Sequence, residues 1–464
     1  MKPSQLVIIG FGMVAKCLMT HMARQNKILA FQVPILIIEP KEISNSEIFK
    51  KLQKSQREIV HIKQYMNEKN YKHIFDKYVR SGAVVVDVAW RIKTAAVIQE
   101  CQNKQCLYIN TAIDEWVHTS MTLNDLKKTI MNEVKYHGIK MTAVINHGMN
   151  PGIVSHIAKT FLKGMAQNSK DPKKIALCNE GKYNYLAKEI GLTLIQIAER
   201  DNQISHLVTT EKMFYNTWSV IGLVDEALLN TEISYGTHEK NMPYKADTSK
   251  LNETGQIILT VPCHQVRSKT FEPVGGLATG YCIAHAECYS LAKFLMAPNY
   301  RVSVYYSYLV PDVAKTICHY IEFSLDKQFS PKAEHVLRSD EIISGVDSVG
   351  CLFFVRDPLR NPDLRIYWFG SIMKNSDMKK ISPEINGTCM QVAVSLLSCI
   401  EWMIENPHYG IIEPEEVDSD FIIKKSMNYL GFFKCLDVTK ECKEIGIVSD
   451  QLSDLITTPS GILF

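Results

Sequence analysis

Acidic and aromatic residues cluster at five places beyond residue 190 of this 464-residue chain. A carboxylate forms charge-assisted hydrogen bonds with an ammonium group, and the face of an indole ring attracts the same charge. The clusters therefore suit a bound cation and do not suit a bound carboxylic acid. They are Ala198 to Asp201, Asn216 to Glu226, Ala284 to Glu287, Ser344 to Asp347 and Tyr367 to Ser371.

A different pattern stands near the N-terminus, where an apolar run, Leu6 to Ile9, leads into a G-x-G-x-x-A motif. Its first glycine permits a tight turn, and its second lets the backbone approach a pyrophosphate at the N-terminus of a helix. The motif therefore predicts a dinucleotide site, and its candidate cofactor residues are Gly10, Phe11, Gly12, Met13 and Val14.

Glu39 follows the second apolar run and is the candidate acid for the ribose hydroxyls. A carboxylate there favours NAD and repels the 2′-phosphate of NADP, although a solvated residue before Pro40 is the ordinary alternative. Two later strand ends occupy the usual position of ribose and nicotinamide contacts, and simple strand-end capping explains them equally well. The candidates there are Val88, Ala89, Asn110 and Thr111.

The elements that must position the motif form an α/β pattern over residues 1–150. Short β-branched runs alternate with amphipathic stretches, which predicts a Rossmann-like, doubly wound parallel sheet. The predicted helices are Met13 to Gln25, Ile92 to Asn103 and Leu123 to Tyr136. The predicted strands are Leu6 to Ile9, Ile35 to Ile38, Glu58 to His61, Ala83 to Val88, Leu107 to Asn110 and Thr142 to Ile145.

Residues 151–464 have a different texture, because strand-like segments occur without a regular helix after each one. We expect a second, α+β domain with a mixed sheet, for substrate binding and dimerisation. An amphipathic helix over 388–405 is expected to pack back on the first domain. The predicted strands are Leu194 to Ala198, Ile257 to Val261, Tyr281 to Ala284, Val302 to Tyr308, Cys351 to Val355 and Arg365 to Phe369.

Composition narrows the class of protein further. The 52 Lys and Arg nearly balance the 49 Asp and Glu without a basic tract, which argues against a nucleic-acid partner and favours small molecules. The longest nearly apolar stretch, Val392 to Ile404, is too short for a membrane span. The N-terminus has no signal-peptide pattern, and the 13 cysteines include no C-x-x-C pair, so we expect a cytoplasmic protein with reduced thiols and no metal site.

Nine segments, taken in order along the chain, resemble the bacterial homospermidine synthases of the saccharopine dehydrogenase-like group. The resemblance implies an NAD-dependent homodimer that joins two putrescines, or putrescine and spermidine, into homospermidine with release of ammonia or diaminopropane. The segments are Ile8 to Val14, Tyr108 to Trp116, Asn150 to Ser155, Ile197 to Asp201, Asn216 to Leu228, Ala284 to Ser290, Glu341 to Leu352, Tyr367 to Ser371 and Glu405 to Glu413.

The resemblance also implies roles for single residues. Trp218 is similar to the family's indole that stacks on the amine, and His285 and Asn150 match positions beside the nicotinamide. The residues that resemble its amine-binding carboxylates are Glu199, Glu226, Glu287 and Asp347.

The amine must lose a proton before its carbon can release hydride. Glu226 or Glu287, with His285 as the alternative, is the candidate base. The chain departs from the family pattern at Ala15, in place of the third glycine, and at Ile221, where an acidic residue is expected. The second departure leaves the choice of amine open.

Each site residue also has an ordinary structural interpretation. Asn150 fits a helix N-cap followed by Pro151 at the first helical position. Trp218 and Glu226 fit a core residue and a surface acid on one helix. His285 and Glu287 fit a structural pair on one strand, and Asp347 fits an Asx turn after Gly345.

Two other functions keep the same fold. A saccharopine-type or carboxynorspermidine-type reductase would consume NAD(P)H and clamp a carboxylate with arginine, for which Arg200 and Arg267 are available. A non-catalytic NAD-binding sensor would bind the cofactor without turning over an amine.

Overall fold

The computed structural model describes residues 1–25, 33–54, 58–210, 213–244, 246–323, 333–357, 361–459, 461 and 463–464. These residues form two compact units. The first comprises Met1–Ile153, Arg338–Asp340 and Asp377–Tyr429, and the second comprises Val154–Leu337, Glu341–Ser376 and Leu430–Phe464. The segment Asp377–Tyr429, which contains the predicted helix over 388–405, lies in the first unit.

The first unit is built on a seven-stranded sheet in which every neighbouring pair is parallel. The predicted Rossmann-like sheet is confirmed. The edge strand Ile411–Ile412 was not predicted, because it lies more than 250 residues beyond its neighbour in the sequence. In order across the sheet, the strands are Ile411–Ile412, Ala143–Val144, Leu107–Asn110, Val84–Asp87, Leu6–Ile9, Ile35–Ile38 and Ile59–Ile62.

Helix Gly387–Glu405 packs against Met13–Arg24 inside this unit. It begins at the cap residue Asn386, whose side chain accepts a hydrogen bond from the Cys389 N–H. The helix has the length and apolar character of a membrane span, but most of it is buried, as in the core helix of a globular unit. The other helices are Glu47–Gln53, Tyr71–Tyr78, Thr94–Asn103, Leu123–Glu133 and Ser419–Ser426.

The second unit contains an eleven-stranded mixed sheet, as predicted. Strand Leu192–Asp201 is central: it pairs parallel with Ser303–Leu309 and antiparallel with Val346–Asp357. The main path is Ala246–Asp247, Gln256–Pro262, Asn230–Ser234, Ser303–Leu309, Leu192–Asp201, Val346–Asp357, Asn361–Lys374 and Phe432–Asp437, with Arg267–Glu272, Gly276–Ile283 and Ile456–Thr457 beside it. Two small sheets pair Phe214–Asn216 with Glu334–Val336 and Ile204–Ser205 with Ile342–Ser344.

One face of this sheet carries an apolar core that includes Leu194, Tyr305, Leu352 and Trp368. Because side chains alternate along each strand, the residues between them point to the opposite face. The described helices of this unit, with two that extend across its boundaries, are Ile153–Ser169, Pro172–Asn179, Tyr183–Ile190, Val220–Leu228, Leu251–Thr254, Ser290–Phe294, Asp312–Phe323, Asn375–Ile381, Thr439–Glu444 and Leu452–Leu455.

Candidate active site

Strand register brings three carboxylates to one face of the second unit's sheet. Glu199 lies opposite Tyr308 on one neighbouring strand and opposite Val349 on the other, and Asp201 lies opposite Asp347. Paired residues share a face, so the three acids lie together on the side away from Trp368. All three are buried, a position in which a charge is costly without a partner.

Glu199 is held by an aromatic neighbour. The Tyr306 hydroxyl donates a 2.7 Å hydrogen bond to Glu199 Oε2. The ring of Tyr306 also packs on the imidazole of His285, with the ring centroids 4.1 Å apart. Tyr306 therefore connects two of the predicted site residues.

His285 lies between two further carboxylates. Its Nδ1 is 3.4 Å from Glu287 Oε2, and its Nε2 is 3.9 Å from Glu226 Oε1. Burial favours the neutral imidazole, but the contact and charge of Glu287, together with the charges of Glu226 and Glu199, raise the pKa of His285 above its usual value. Strand Gly276–Ile283 ends before His285, which precedes a 3₁₀ turn, so the prediction of a pair on one strand is wrong.

Glu287 and Glu226 differ in environment. Glu287 is 1% exposed, and neither of its carboxylate oxygens has a hydrogen bond within the described chain. Glu226 lies on helix Val220–Leu228, and burial, reinforced by the charges of nearby acids, raises its pKa to about 7. A pKa of about 7 suits Glu226 to proton exchange near neutral pH, whereas Glu287 has buried acceptor oxygens without hydrogen bonds from the described residues.

Trp218 lies before this helix and not on it. Ser219 is the N-cap, and its side chain accepts a hydrogen bond from the Gly222 N–H. The prediction that Trp218 and Glu226 share one helix is therefore wrong. The Trp218 indole N–H donates a 2.8 Å hydrogen bond to the Tyr308 hydroxyl, which fixes the indole beside the acidic face.

Asp347 lies within strand Val346–Asp357, so the Asx-turn interpretation is wrong. Its cross-strand neighbour Asp201 accepts hydrogen bonds from the Thr217 hydroxyl at 2.5 Å and from the Gln203 N–H at 2.9 Å. Burial raises the pKa of Asp201 to about 7, against the opposing effect of these hydrogen bonds. The sequence placed Asp201 in a polar cluster without giving it a role.

The cofactor motif of the first unit has room for a pyrophosphate. A Cβ on Gly10, whose φ is +85°, would approach Ala89 to 3.0 Å, whereas a Cβ on Gly12 would meet no described atom within 4 Å. Glu39 accepts hydrogen bonds from the backbone N–H groups of Phe11 at 2.8 Å and Lys41 at 2.9 Å. These bonds fix a carboxylate that still has lone pairs for ribose hydroxyls, so the residues present fit a dinucleotide.

Other predicted cofactor residues are placed differently. The ring of Phe11 is buried, so only its backbone is available, and Met13 and Val14 open the helix Met13–Arg24. The side chain of Asn110 is buried, accepts from the Asn146 N–H and donates to Thr94, which makes it a connector of neighbouring loops.

The three remaining predicted residues lie at loop positions in the first unit. Val88 donates its backbone N–H to Ile9, and Thr111 is partly exposed. Asn150 precedes a cis peptide bond to Pro151, and the helix begins at Ile153, so the prediction of Asn150 as N-cap and Pro151 as first helical residue is wrong.

Family models match both parts of the chain. The saccharopine dehydrogenase NADP binding domain matches residues 6–136, and the saccharopine dehydrogenase C-terminal domain matches residues 148–432. The chain belongs to the saccharopine dehydrogenase family. It is an enzyme family, and the first unit is its dinucleotide-binding part.

Similar proteins extend over nearly the whole chain. Homospermidine synthases of Mesorhizobium japonicum and Blastochloris viridis are 27% and 26% identical over 92% of this chain and 88% and 89% of their own. The crystal structure of a homospermidine synthase from Legionella pneumophila in complex with NAD has a TM-score of 0.79 at 28% identity and covers 94% of this chain and 92% of its own. The predicted resemblance to homospermidine synthases is confirmed.

A more distant structure shares the fold alone. Saccharopine dehydrogenase (L-Glu forming) from Saccharomyces cerevisiae has a TM-score of 0.55 at 10% identity, over 93% of this chain and 99% of its own.

The two arginines proposed for a carboxylate-binding reductase line one cleft of about 850 Å³ in the second unit, together with Tyr308, Lys315 and His319. The guanidinium of Arg267 stacks 4.1 Å from the Tyr281 ring, and that of Arg200 packs against Gly275.

Sequence reasoning missed Tyr306 and Tyr308. Both belong to an aromatic strand, Ser303–Leu309, that looks like ordinary core. Only the register with Leu192–Asp201 places them beside Glu199.

Within the described residues, no group of three His, Cys, Asp or Glu side chains has the arrangement of a metal site.

Proposed function

We propose that this enzyme is an NAD-dependent homospermidine synthase. It joins two putrescines into homospermidine and releases ammonia, or joins putrescine and spermidine and releases diaminopropane. The observation that carries the proposal is Glu287, a buried carboxylate with two unbonded oxygens beside His285, Glu226 and Glu199. An ammonium group supplies the positive charge and N–H donors that this cluster needs. The similarity to three homospermidine synthases supports the same substrate class.

The chemistry that bound NAD would supply is reversible acceptance of a hydride from the carbon next to the amine, with no net change in the cofactor. The residues that would hold it are Gly12, which leaves open space, Glu39, whose carboxylate is fixed, and Gly10 and Ala89, through their backbone. A cofactor used in this way stays bound, which agrees with NAD in the Legionella structure.

Proton transfer is the task of the acidic cluster. A free amine has a pKa near 10.4, so the substrate arrives as an ammonium ion and must lose a proton. Glu226 is the base that we propose, because its pKa of about 7 allows both the acceptance and the return of a proton near neutral pH. His285 lies between Glu226 and Glu287, and in its protonated form it balances their negative charge.

Binding of the second charged nitrogen is assigned to Trp218 and the remaining carboxylates. The fixed indole offers its ring face to an ammonium or iminium group, an interaction worth about 2 kcal/mol when desolvated. Glu199 and Asp347 complete the acidic face on neighbouring strands. Both carboxylates are buried, which limits the access of bulk water to groups bound beside them.

The cleft with Arg200 and Arg267 favours a second candidate function, the NAD(P)H-dependent reductase that binds a carboxylate. The two reactions differ in redox balance. With putrescine labelled by two deuterium atoms on one terminal carbon, the synthase keeps the transferred deuterium in homospermidine and accumulates no NADH. A reductase consumes stoichiometric NADH and needs an aldehyde or keto acid, and this result would overturn the proposal. Binding of NAD without turnover of either substrate set would indicate a sensor.

We further propose a homodimer that works in the cytoplasm on small amines, without a nucleic-acid or membrane partner. The thirteen cysteines all lie in the described residues and form no disulfide bond there, in keeping with a reducing compartment. Closed twofold symmetry is the commonest state of soluble oligomers. Light scattering coupled to size exclusion tests the assembly, and a monomeric mass would contradict it.

A further inference from the structure

We propose that Tyr306 and Tyr308 are positioning residues that hold the amine-binding groups Glu199, His285 and Trp218 in their working orientation; this inference rests on the proposed function. Neither tyrosine belongs to the predicted site. Each makes a hydroxyl hydrogen bond to one candidate site residue, and both come from one strand.

Tyr306 makes two contacts with different parts of the site. Its hydroxyl donates to Glu199 Oε2 at 2.7 Å, and its ring supports the His285 imidazole at 4.1 Å between centroids, with 34° between the ring planes. Burial, reinforced by the Glu199 charge, raises the pKa of Tyr306, so the hydroxyl remains a donor at any working pH. Loss of this hydroxyl removes one donor that orients the Glu199 carboxylate.

Tyr308 acts on the indole. Its hydroxyl accepts the Trp218 N–H at 2.8 Å, and the two rings lie 6.3 Å apart at 52°. The rings of Tyr306 and Tyr308 are stacked at 6.0 Å and 13°, so the tyrosines support each other. An indole without this bond can turn about its side-chain torsions, and its face then no longer meets the ammonium group in a fixed position.

The same strand supplies a matched control. Tyr305 is as buried as its neighbours, but alternation along the strand points it to the apolar core, where its hydroxyl accepts from Gln196 Nε2 at 2.7 Å. Tyr305→Phe therefore removes a buried, hydrogen-bonded hydroxyl from the same strand without touching the acidic face.

The experiment compares Tyr305→Phe, Tyr306→Phe and Tyr308→Phe in the full-length enzyme loaded with NAD. Thermal unfolding and NAD affinity are measured first, and then kcat and KM for putrescine. We expect Tyr306→Phe to raise KM about tenfold, the effect of losing one hydrogen bond to a charged group, with little change in kcat. In the Tyr308→Phe background, a further Trp218→Phe substitution should have almost no additional effect on kcat and KM, since the two residues act as one unit. Tyr305→Phe should leave both constants near the wild-type values.

Two results would overturn the proposal. One is an unchanged KM in Tyr306→Phe, or a change that Tyr305→Phe reproduces; the other is additive effects of Tyr308→Phe and Trp218→Phe. The double-variant comparison also decides the question for Tyr308 if Tyr306→Phe fails to fold. An inactive wild-type enzyme would instead refute the proposed function itself, so the two failures are distinguishable.

Discussion

The imidazole Nδ1 of His285 lies 3.4 Å from Oε2 of Glu287, a carboxylate that is 1% exposed. Both oxygens of Glu287 are buried without a hydrogen bond in the described chain. A native protein rarely leaves buried carboxylate oxygens without a hydrogen bond unless a ligand or water completes them. An ammonium group of the substrate is the ligand that we infer.

Replacing Glu287 with Gln should therefore lower kcat/KM for putrescine by about 100-fold, as expected when one partner of a buried charge pair is removed. The control is Glu272→Gln, because Glu272 is also fully buried but bonds to Ser348 at 2.5 Å on the opposite face of the sheet. Steady-state kinetics of both variants test this. Equal losses in the two would show that Glu287 has no special role.

Glu226 gives a prediction for pH dependence. Burial raises its pKa to about 7, and the base must be deprotonated to accept the substrate proton. Activity should therefore rise with pH and level off above about 7. Glu226→Gln should remove this limb along with most of the activity. A profile of kcat/KM from pH 5 to 9 measures it, and the same limb in the Gln variant would exclude Glu226 as its source.

Trp218 should matter through its ring and not through its volume alone. Trp218→Ala should reduce kcat/KM by roughly 30-fold, which corresponds to about 2 kcal/mol for a desolvated cation–π contact. Trp218→Phe keeps an aromatic face and should lose less. The comparison is made with putrescine at fixed pH and salt. Unchanged turnover in the Ala variant would show that the amine does not bind the indole.

The cofactor site offers a substitution that separates binding from stability. A Cβ on Gly12 would meet no described atom, so Gly12→Val should fold with a nearly unchanged melting temperature. If a pyrophosphate occupies that space, the same variant should lose NAD affinity at least tenfold. Calorimetric titration and thermal unfolding measure the two properties. Normal affinity for NAD would place the pyrophosphate elsewhere.

Glu272 predicts a stability effect. Burial raises its pKa to about 8, against the opposing effects of Ser348, Arg200 and the Trp368 indole, whose N–H makes no hydrogen bond of normal geometry. Because the carboxyl pKa is raised, the folded state still holds a proton at pH values where the unfolded state has lost it. The stabilisation that this proton gives the folded state is complete below about pH 4.5 and is lost as pH rises through 8. The free energy of unfolding of Glu272→Gln should therefore exceed that of wild type at pH 9. Each tenfold difference in proton affinity between the folded and unfolded states is worth about 1.4 kcal/mol. Denaturant unfolding of the variant and the wild type at pH 5 and pH 9 tests this. An equal difference in stability between the two proteins at both pH values would contradict it.

Local patterns predicted the first unit well. Leu6–Ile9, Ile35–Ile38 and Leu107–Asn110 have the predicted bounds, because short apolar runs between turn residues determine buried parallel strands. Helix Gly387–Glu405 and its packing on the first unit were also predicted, whereas the edge strand Ile411–Ile412 depends on tertiary pairing over hundreds of residues. Periodicity carries no information on such pairing.

The site was predicted by type but not by geometry. Trp218 was placed on a helix because the cap at Ser219 was not recognised, and His285 was placed on a strand that ends at Ile283. Tyr306 and Tyr308 were missed because their strand alternates between two buried faces, so both faces look like core. The register between strands distinguishes the faces, and a single sequence does not reveal that register.

The most direct measurement is the product of purified enzyme incubated with putrescine and a catalytic amount of NAD. Amines are analysed by mass spectrometry while absorbance at the NADH band is followed. We predict homospermidine and ammonia in equal amounts, in large excess over the NAD supplied, with no accumulation of NADH. Stoichiometric NADH, or no homospermidine in the presence of bound NAD, would contradict a redox-neutral synthase that acts at the cluster around His285.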